Sequence, residues 1–227
     1  MFQDADGSQR AGGSALEERS PGFPYRMWLL CLLICILAVT VAFVYFDVPI
    51  AHRVYGIFGP TKGLATGLAS DVLLSIEAAV VLALVILRIT HGHLSPFREA
   101  TALACLTSIC AYAINDRALK PLFGVPGPAT VIRGAQHAFH LLNGASNYGF
   151  PSGHMVLAGA FAGVFMRLYR RSVWPLSALL LLAAGLLILG DWHFVSDIIA
   201  GTFLGVSAGL LAGEVWLAHS KLSVRNL

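Results

Sequence analysis

Three side chains that are rare inside apolar sequence stand at the borders of hydrophobic stretches: His154, His193 and Asp197. His193 and Asp197 are four residues apart, a spacing that puts two helical side chains on one face and within reach of each other. A carboxylate that accepts a proton from one imidazole nitrogen fixes the tautomer and leaves the other nitrogen as a base or nucleophile. The same spacing also fits a structural His–Asp pair that closes a helix start.

The tetrapeptide PSGH, residues 151–154, stands where a polar, turn-rich segment enters an apolar stretch. Pro151 fits the first turn of a helix. The amides that follow it then point out at the positive end of the helix dipole, where a phosphate binds well. Gly153 allows an anion to approach the backbone closely. The motif indicates an anion site in which His154 can donate a proton to a leaving group, although an ordinary capped helix start is the alternative.

The elements that must position these residues are membrane helices. Of the 227 residues, 57% are hydrophobic and only 12% are charged, against about 25% charged in soluble domains. The net charge of +3 is mild and does not indicate nucleic acid as a partner. The four cysteines all lie in apolar stretches, so we interpret them as buried apolar side chains and not as disulfides or metal ligands.

The hydrophobic stretches predict an all-α integral membrane bundle of six transmembrane helices, which forms one domain over residues 25–220. The predicted spans are 27–46, 63–89, 99–119, 152–169, 175–190 and 193–218. Residues 1–24 are predicted to be a disordered cytoplasmic tail, and residues 221–227 a second cytoplasmic tail. Residues 47–62 are predicted to be an interfacial segment. Residues 133–148, which include His137 and His140, are interpreted as an interfacial helix in preference to a lid.

Lysine and arginine predict the orientation of this bundle. Most of the 15 Lys and Arg residues lie on the side that holds the N-terminus, and the positive-inside rule puts that side in the cytoplasm. We therefore expect a bacterial inner-membrane protein whose 121–150 loop faces the periplasm or exterior. Lys120 and the PSGH and His193–Asp197 residues all fall on this outer face. Together they provide a nucleophile, an orienting carboxylate, an acid and a positive charge, which is a set suited to phosphoryl transfer on a lipid.

The sequence resembles the type 2 phosphatidic acid phosphatase superfamily of membrane lipid phosphatases over about residues 27–218. That family has three motifs, K-x6-R-P, P-S-G-H and S-R-x5-H-x3-D. Residues 151–154 match the second motif fully. His193 and Asp197 match the end of the third motif, and Lys120 matches the start of the first.

The resemblance implies a role for each matching residue. His193 would be the nucleophile and form a phosphohistidine, Asp197 would orient it, and His154 would protonate the leaving alkoxide. The phosphate-binding residues would be Ser152, Gly153 and Lys120. Water would then hydrolyse the phosphohistidine, with no metal or other cofactor. The expected partner is a lipid phosphate such as phosphatidic acid, phosphatidylglycerol phosphate, a polyprenyl phosphate or pyrophosphate, or phosphorylated lipid A.

The sequence lacks both arginines of the family motifs. Gly127 stands at the arginine position of the first motif and Leu187 at that of the third. Arginine is the best bidentate phosphate ligand, so a large part of the expected phosphate clamp is missing. We consider Arg117, one turn before Lys120, and Arg133, in the outer loop, as replacements that bind the substrate phosphate.

The missing arginines also favour an alternative function. A phosphomonoester is close to a dianion, whereas a phosphodiester carries one negative charge and needs fewer arginines. The alternative is therefore a phospholipid head-group transferase or a phospholipase C-like enzyme. A second alternative is a non-catalytic relative that binds or moves lipid.

Overall fold

The computed structural model describes residues 25–59, 64–142 and 148–225, and the side chains of 25–59, 70–142 and 148–219. The predicted tail over residues 1–24 lies outside the described residues. The structure is all-helical, with 83% helix and no strands in the part described. This confirms the predicted all-α class.

Six long helices lie at the six predicted apolar stretches. They are α1 Tyr25–Phe58, α2 Leu64–His91, α3 Pro96–Phe123, α4 Gly153–Leu168, α5 Val173–Leu189 and α6 Val195–Arg225. All of these except α4 are long and apolar enough to cross a membrane, α5 together with the 3₁₀ turn Arg170–Ser172 that precedes it. Helix α4 has only 16 residues, so the structure gives five candidate spans and the sixth stays a prediction.

The predicted interfacial segment at 47–62 begins as helix, because α1 continues to Phe58, and its interfacial position stays a prediction. Residues Ala42–Phe46 form a π-helical turn inside α1. The π-helical turn changes the backbone hydrogen-bond pattern just before Pro49. The helix therefore continues through Pro49 although proline has no amide hydrogen to donate. At the other end of the chain, α6 continues to Arg225, so the predicted tail from residue 221 begins as helix.

Helix α4 is the most buried helix, and glycines bring it into backbone contact with α6. The α6 glycines at four-residue spacing are Gly201, Gly205, Gly209 and Gly213. A Cβ atom on Gly201 would lie 2.6 Å from the carbonyl oxygen of Ser152, and one on Gly205 would lie 2.5 Å from that of Val156. Small residues at such an interface let two membrane helices approach closely. The first turns of α4 and α6, which carry the predicted site, are therefore held side by side.

The loop after α3, named the outer loop after its predicted side of the membrane, folds back over the end of that helix. The amide of His140 donates to the carbonyl of Phe123 at 3.2 Å, and the amide of Gly149 donates to that of Val125 at 2.9 Å. Gly124 ends α3 with a φ of 61°, a left-handed conformation that favours glycine. The predicted interfacial helix at 133–148 is wrong for the residues described, since those after the short helix Pro128–Ile132 form turns and irregular chain.

Candidate active site

His193 lies in the tight turn between α5 and α6, two residues before α6 begins. The sequence prediction had both members of the His193–Asp197 pair on the helix, and this is wrong for His193. The two side chains still meet, with His193 Nδ1 3.3 Å from Asp197 Oδ2. Asp197, in the first turn of α6, folds back over the helix start and also accepts the amide of Phe194 at 3.0 Å. A side chain that caps its own helix in this way explains the contact.

The ring of His154 reaches the other nitrogen of His193. His154 Nδ1 lies 3.2 Å from His193 Nε2. Asp197 accepts a hydrogen bond from His193 Nδ1–H, so the Nε2 atom of a neutral His193 carries a lone pair. His154 Nδ1 then carries the hydrogen of the contact between the two rings; these hydrogens follow from the partners of each nitrogen. His193 thus has a base-like nitrogen that faces an acid-like nitrogen.

The PSGH segment is fixed to its surroundings through its backbone. The amide of Ser152 donates to the carbonyl of Asp197 at 3.1 Å, and its hydroxyl caps α4 by accepting the amide of Met155 at 3.4 Å. Asn115 on α3 donates to the carbonyl of Pro151 at 3.1 Å. Ser152 is the N-cap of α4, so Pro151 precedes the helix. The prediction that Pro151 lies in the first helical turn is wrong. Because the amide of Ser152 is already hydrogen-bonded to Asp197 of α6, a phosphate would be bound by the backbone amides that follow Ser152.

Lys120 lies beside Gly153, as the motif predicts. Its Nζ atom is 3.6 Å from the point that a Cβ atom on Gly153 would occupy. The ring of Tyr112 lies 2.8 Å from the same point, so only glycine fits there without a shift of the tyrosine. Lys120 Nζ also donates to Asp116 Oδ1 at 3.0 Å. Among the described contacts, Lys120 is the cationic side chain that lies beside PSGH, and this ion pair offsets part of its positive charge.

The two arginines considered as replacements are not brought into this cluster. Arg117 is exposed and lines an apolar groove between α2 and α3, together with Tyr112 and Asp116. Arg133 is exposed just beyond the short outer helix. No contact among the described residues connects either side chain to His154 or His193.

The positions that hold arginine in the family are filled differently. Leu187 is buried in an apolar cluster with Met155 and Ile198. Gly127 lies under the outer loop, where its Cα atom is 3.0 Å from the point that a Cβ atom on Gly149 would occupy. That point is also 2.9 Å from Asp197 Oδ2. An arginine at position 127 would thus lie next to Gly149, which packs against Asp197. At the second position, Leu187 packs in the apolar core instead.

Asp47 is a buried residue next to the site that the sequence analysis missed, and it contacts the first turn of α6. Asp47 is 1% exposed and accepts the amide of Ser196 at 3.0 Å and the Ser196 hydroxyl. It thereby caps the start of α6 from a different helix. An acidic residue within an apolar membrane helix is itself a functional signal, but the predicted end of the span at residue 46 left Asp47 outside the bundle.

His137 joins the outer loop to this support. Its Nε2 atom lies 3.5 Å from Asp47 Oδ2, and its ring stacks on Phe43 and packs against Phe194. Burial lowers the pKa of His137 from 6.5, while the charge of Asp197 acts in the opposite direction. Burial therefore favours the neutral form of the His137 ring.

Ser70 on α2 is the second residue that sequence reasoning missed. Its hydroxyl lies 3.0 Å from His154 Nε2, on the side of the ring opposite His193. The sequence offered no signal for it, because a serine in a membrane helix is common and its partner lies 84 residues away.

The comparisons with known proteins agree with the motifs. Residues 100–220, more than half of the chain, match the family model described as PAP2 superfamily. The chain therefore belongs to the PAP2 superfamily, which generally comprises phosphatases. Comparison with curated proteins and with solved structures found no match.

Proposed function

We propose that this chain is an integral membrane lipid phosphatase that removes the phosphate of a lipid phosphate through a phosphohistidine on His193. The observation that supports this most is the position of His193 between Asp197 and His154, with Lys120 near the start of the same helix as His154. In this proposal the chain crosses a bacterial inner membrane six times. Its site opens to the periplasm or exterior.

The proposed reaction has two steps. In the first, His193 Nε2 forms a bond to phosphorus and the bond from phosphorus to the lipid oxygen breaks. His154, protonated on both nitrogens, gives its Nδ1 proton to that oxygen and becomes neutral with its hydrogen on Nε2. Asp197 stabilises the positive charge on His193. In the second, His154 takes a proton from water, the water oxygen bonds to phosphorus, and the phosphorus–nitrogen bond breaks to release phosphate. The two rings must separate to admit phosphate, because their facing nitrogens are 3.2 Å apart.

The proposed phosphate site combines one cation with helix amides. Ser152 and Gly153 form the start of α4, and Lys120 reaches this point from the end of α3. The positive end of a helix dipole stabilises an anion there. With the family arginines absent, these amides carry a larger share of the phosphate binding. Arg117 and Arg133 stay proposals as further phosphate ligands and would have to move to reach the site.

A phosphodiester substrate is the second candidate function. The observation in its favour is the small positive charge beside the histidines, where Lys120 already pairs with Asp116. The same histidine chemistry would then transfer or release a phospholipid head group. A non-catalytic lipid-binding relative is the third candidate, and the two lost arginines favour it.

One experiment separates these candidates. The purified protein is incubated with a panel of lipid phosphomonoesters and phosphodiesters, and released phosphate and released head group are both measured. Free phosphate that disappears in His193→Ala supports the phosphatase. Head-group release without free phosphate supports the second candidate, and no turnover supports the third. His91→Ala, at an exposed histidine on the opposite side of the bundle, is the matched control and should keep full activity.

A further inference from the structure

The proton donor of the proposed reaction has a partner on its far side. Ser70 is 6% exposed, and its hydroxyl lies 3.0 Å from His154 Nε2. The other ring nitrogen of His154 faces His193 at 3.2 Å. The ring also packs against Trp192, with the ring centroids 5.8 Å apart. His154 is thus contacted on both nitrogens and on its face.

These contacts bring three elements together around one ring. His154 belongs to α4, His193 to the turn before α6, and Ser70 to α2. The α4 and α6 starts are fixed to each other by backbone contacts, whereas Ser70 is the described contact that ties α2 to the ring. A half-turn of the imidazole about its Cβ–Cγ bond would put the carbon Cδ2 in the place of Nδ1 and turn both nitrogens away from their partners. The hydroxyl of Ser70 opposes that rotation, because it hydrogen-bonds to Nε2 only in the observed orientation.

A hydroxyl is suited to this position because it both donates and accepts hydrogen bonds. When His154 is neutral and carries its hydrogen on Nδ1, Nε2 accepts a hydrogen bond from Ser70. When His154 is the cation that protonates a leaving group, Nε2 carries a hydrogen and donates it to the Ser70 oxygen. A carboxylate could serve only the second state. Once the cation has given up its Nδ1 proton, the neutral base keeps its hydrogen on Nε2 and still donates it to Ser70, so the hydroxyl serves the resting, acid and base forms of the ring.

We propose that Ser70 is a positioning residue that holds the His154 ring with Nδ1 toward the leaving oxygen in both protonation states. This inference rests on the proposed phosphatase function, in which His154 is the general acid.

The test compares two leaving groups. A lipid phosphate loses an alkoxide, which must be protonated, whereas p-nitrophenyl phosphate loses a stabilised phenolate that does not need the acid. Ser70→Ala should lower kcat/KM for the lipid phosphate by about tenfold or more, as expected for the loss of one hydrogen bond to a charged group. It should leave kcat/KM for p-nitrophenyl phosphate within about twofold, because kcat/KM reports the first phosphoryl transfer, in which this leaving group needs little general acid catalysis. Ser70→Thr, which keeps the hydroxyl, should restore most of the lipid phosphate turnover.

Ser75→Ala is the matched control, because Ser75 lies on the same helix and donates to the backbone carbonyl of Asp71 at an exposed position. It should change neither rate. Equal losses on both substrates in Ser70→Ala would show a structural role and overturn the proposal, as would no loss on either.

A second measurement does not depend on turnover. In protein with ¹⁵N-labelled histidine, the imidazole signals of neutral His154 should report a hydrogen on Nδ1, and Ser70→Ala should give a mixture of tautomers. Imidazole signals of His154 that are the same in the unsubstituted protein and in Ser70→Ala would overturn the proposal. Loss of the proposed function has a different signature, in which the unsubstituted protein releases no phosphate from either substrate or His193→Ala keeps full activity.

Discussion

At the scale of single residues, the motif positions could be predicted from the sequence but their contacts could not. His154, Lys120, His193 and Asp197 fall on one membrane face by simple counting of spans. The 3.2 Å approach of the two histidine rings depends on how closely two helices pack, which no local pattern reports. Asp47 and Ser70 were missed for a related reason, since each contacts the site from a helix distant in sequence.

Asp191, two residues before His193, gives a prediction about stability. It is 4% exposed, and its φ of 52° is left-handed. Burial raises the pKa of Asp191 from 3.8 to about 6, partly opposed by the nearby His52. The folded protein therefore binds this proton more tightly than the unfolded chain does, and stability falls as the pH rises from about 4 to about 6.

Asp191→Asn should remove this penalty, because asparagine is uncharged and tolerates a left-handed backbone. At pH 8 the variant should be more stable by about 1 to 2 kcal/mol, and at pH 4.5 the gain should largely vanish. The measurement is the unfolding temperature of the detergent-solubilised protein at both pH values. An equal difference in unfolding temperature at the two pH values would contradict the assignment.

At the scale of helices, the sequence located every long helix but not the way the helices differ. Apolar stretches report length and hydropathy, so five of the helices are recognisable as candidate spans. They do not report the π-helical turn in α1 or the short length and deep burial of α4. The four-residue glycine spacing on α6 is the one sequence signal that points to the α4–α6 contact.

Gly205→Ala tests whether this glycine contact positions the site. A Cβ atom there would lie 2.5 Å from the carbonyl oxygen of Val156, so the two backbones must separate. We expect a loss of about 1 to 3 kcal/mol in stability, as for other overpacked interfaces, together with a large loss of turnover. Both quantities are measured on the purified protein.

Gly185→Ala is the matched control for this variant. Gly185 is also a glycine in a membrane helix, but nothing lies within 4 Å of an added Cβ atom. It should keep both activity and unfolding temperature. If Gly205→Ala behaved in the same way as Gly185→Ala, the close packing of α4 on α6 would not be what positions the two histidines.

At the scale of the whole molecule, an apolar exterior surrounds a small polar cluster at one end. Large apolar side chains are exposed along α1, α2 and α5, for example Leu37, Ile89 and Leu181. Such a surface is expected against lipid and not against water. Composition alone predicted this class of protein, because burying so many apolar residues in a soluble core of this size would leave too few polar residues for the surface.

The orientation of the bundle can be tested by labelling single cysteines in a variant that lacks the four native ones. Gln136→Cys lies in the outer loop, and His93→Cys lies between α2 and α3; both positions are exposed. If the positive-inside rule gives the orientation correctly, a membrane-impermeant maleimide added to intact cells should label residue 136 and not residue 93. The reverse pattern would put the candidate site in the cytoplasm.

The central claim is that His193 carries the phosphoryl group between the two proposed steps. The most direct measurement is rapid quenching of the protein with a lipid phosphate labelled at phosphorus, followed by mapping of the protein-bound label. The account predicts a label that is stable in alkali, labile in acid and attached to His193. A protein that releases labelled phosphate while no such label forms on His193, or while the label lies on another residue, would contradict it.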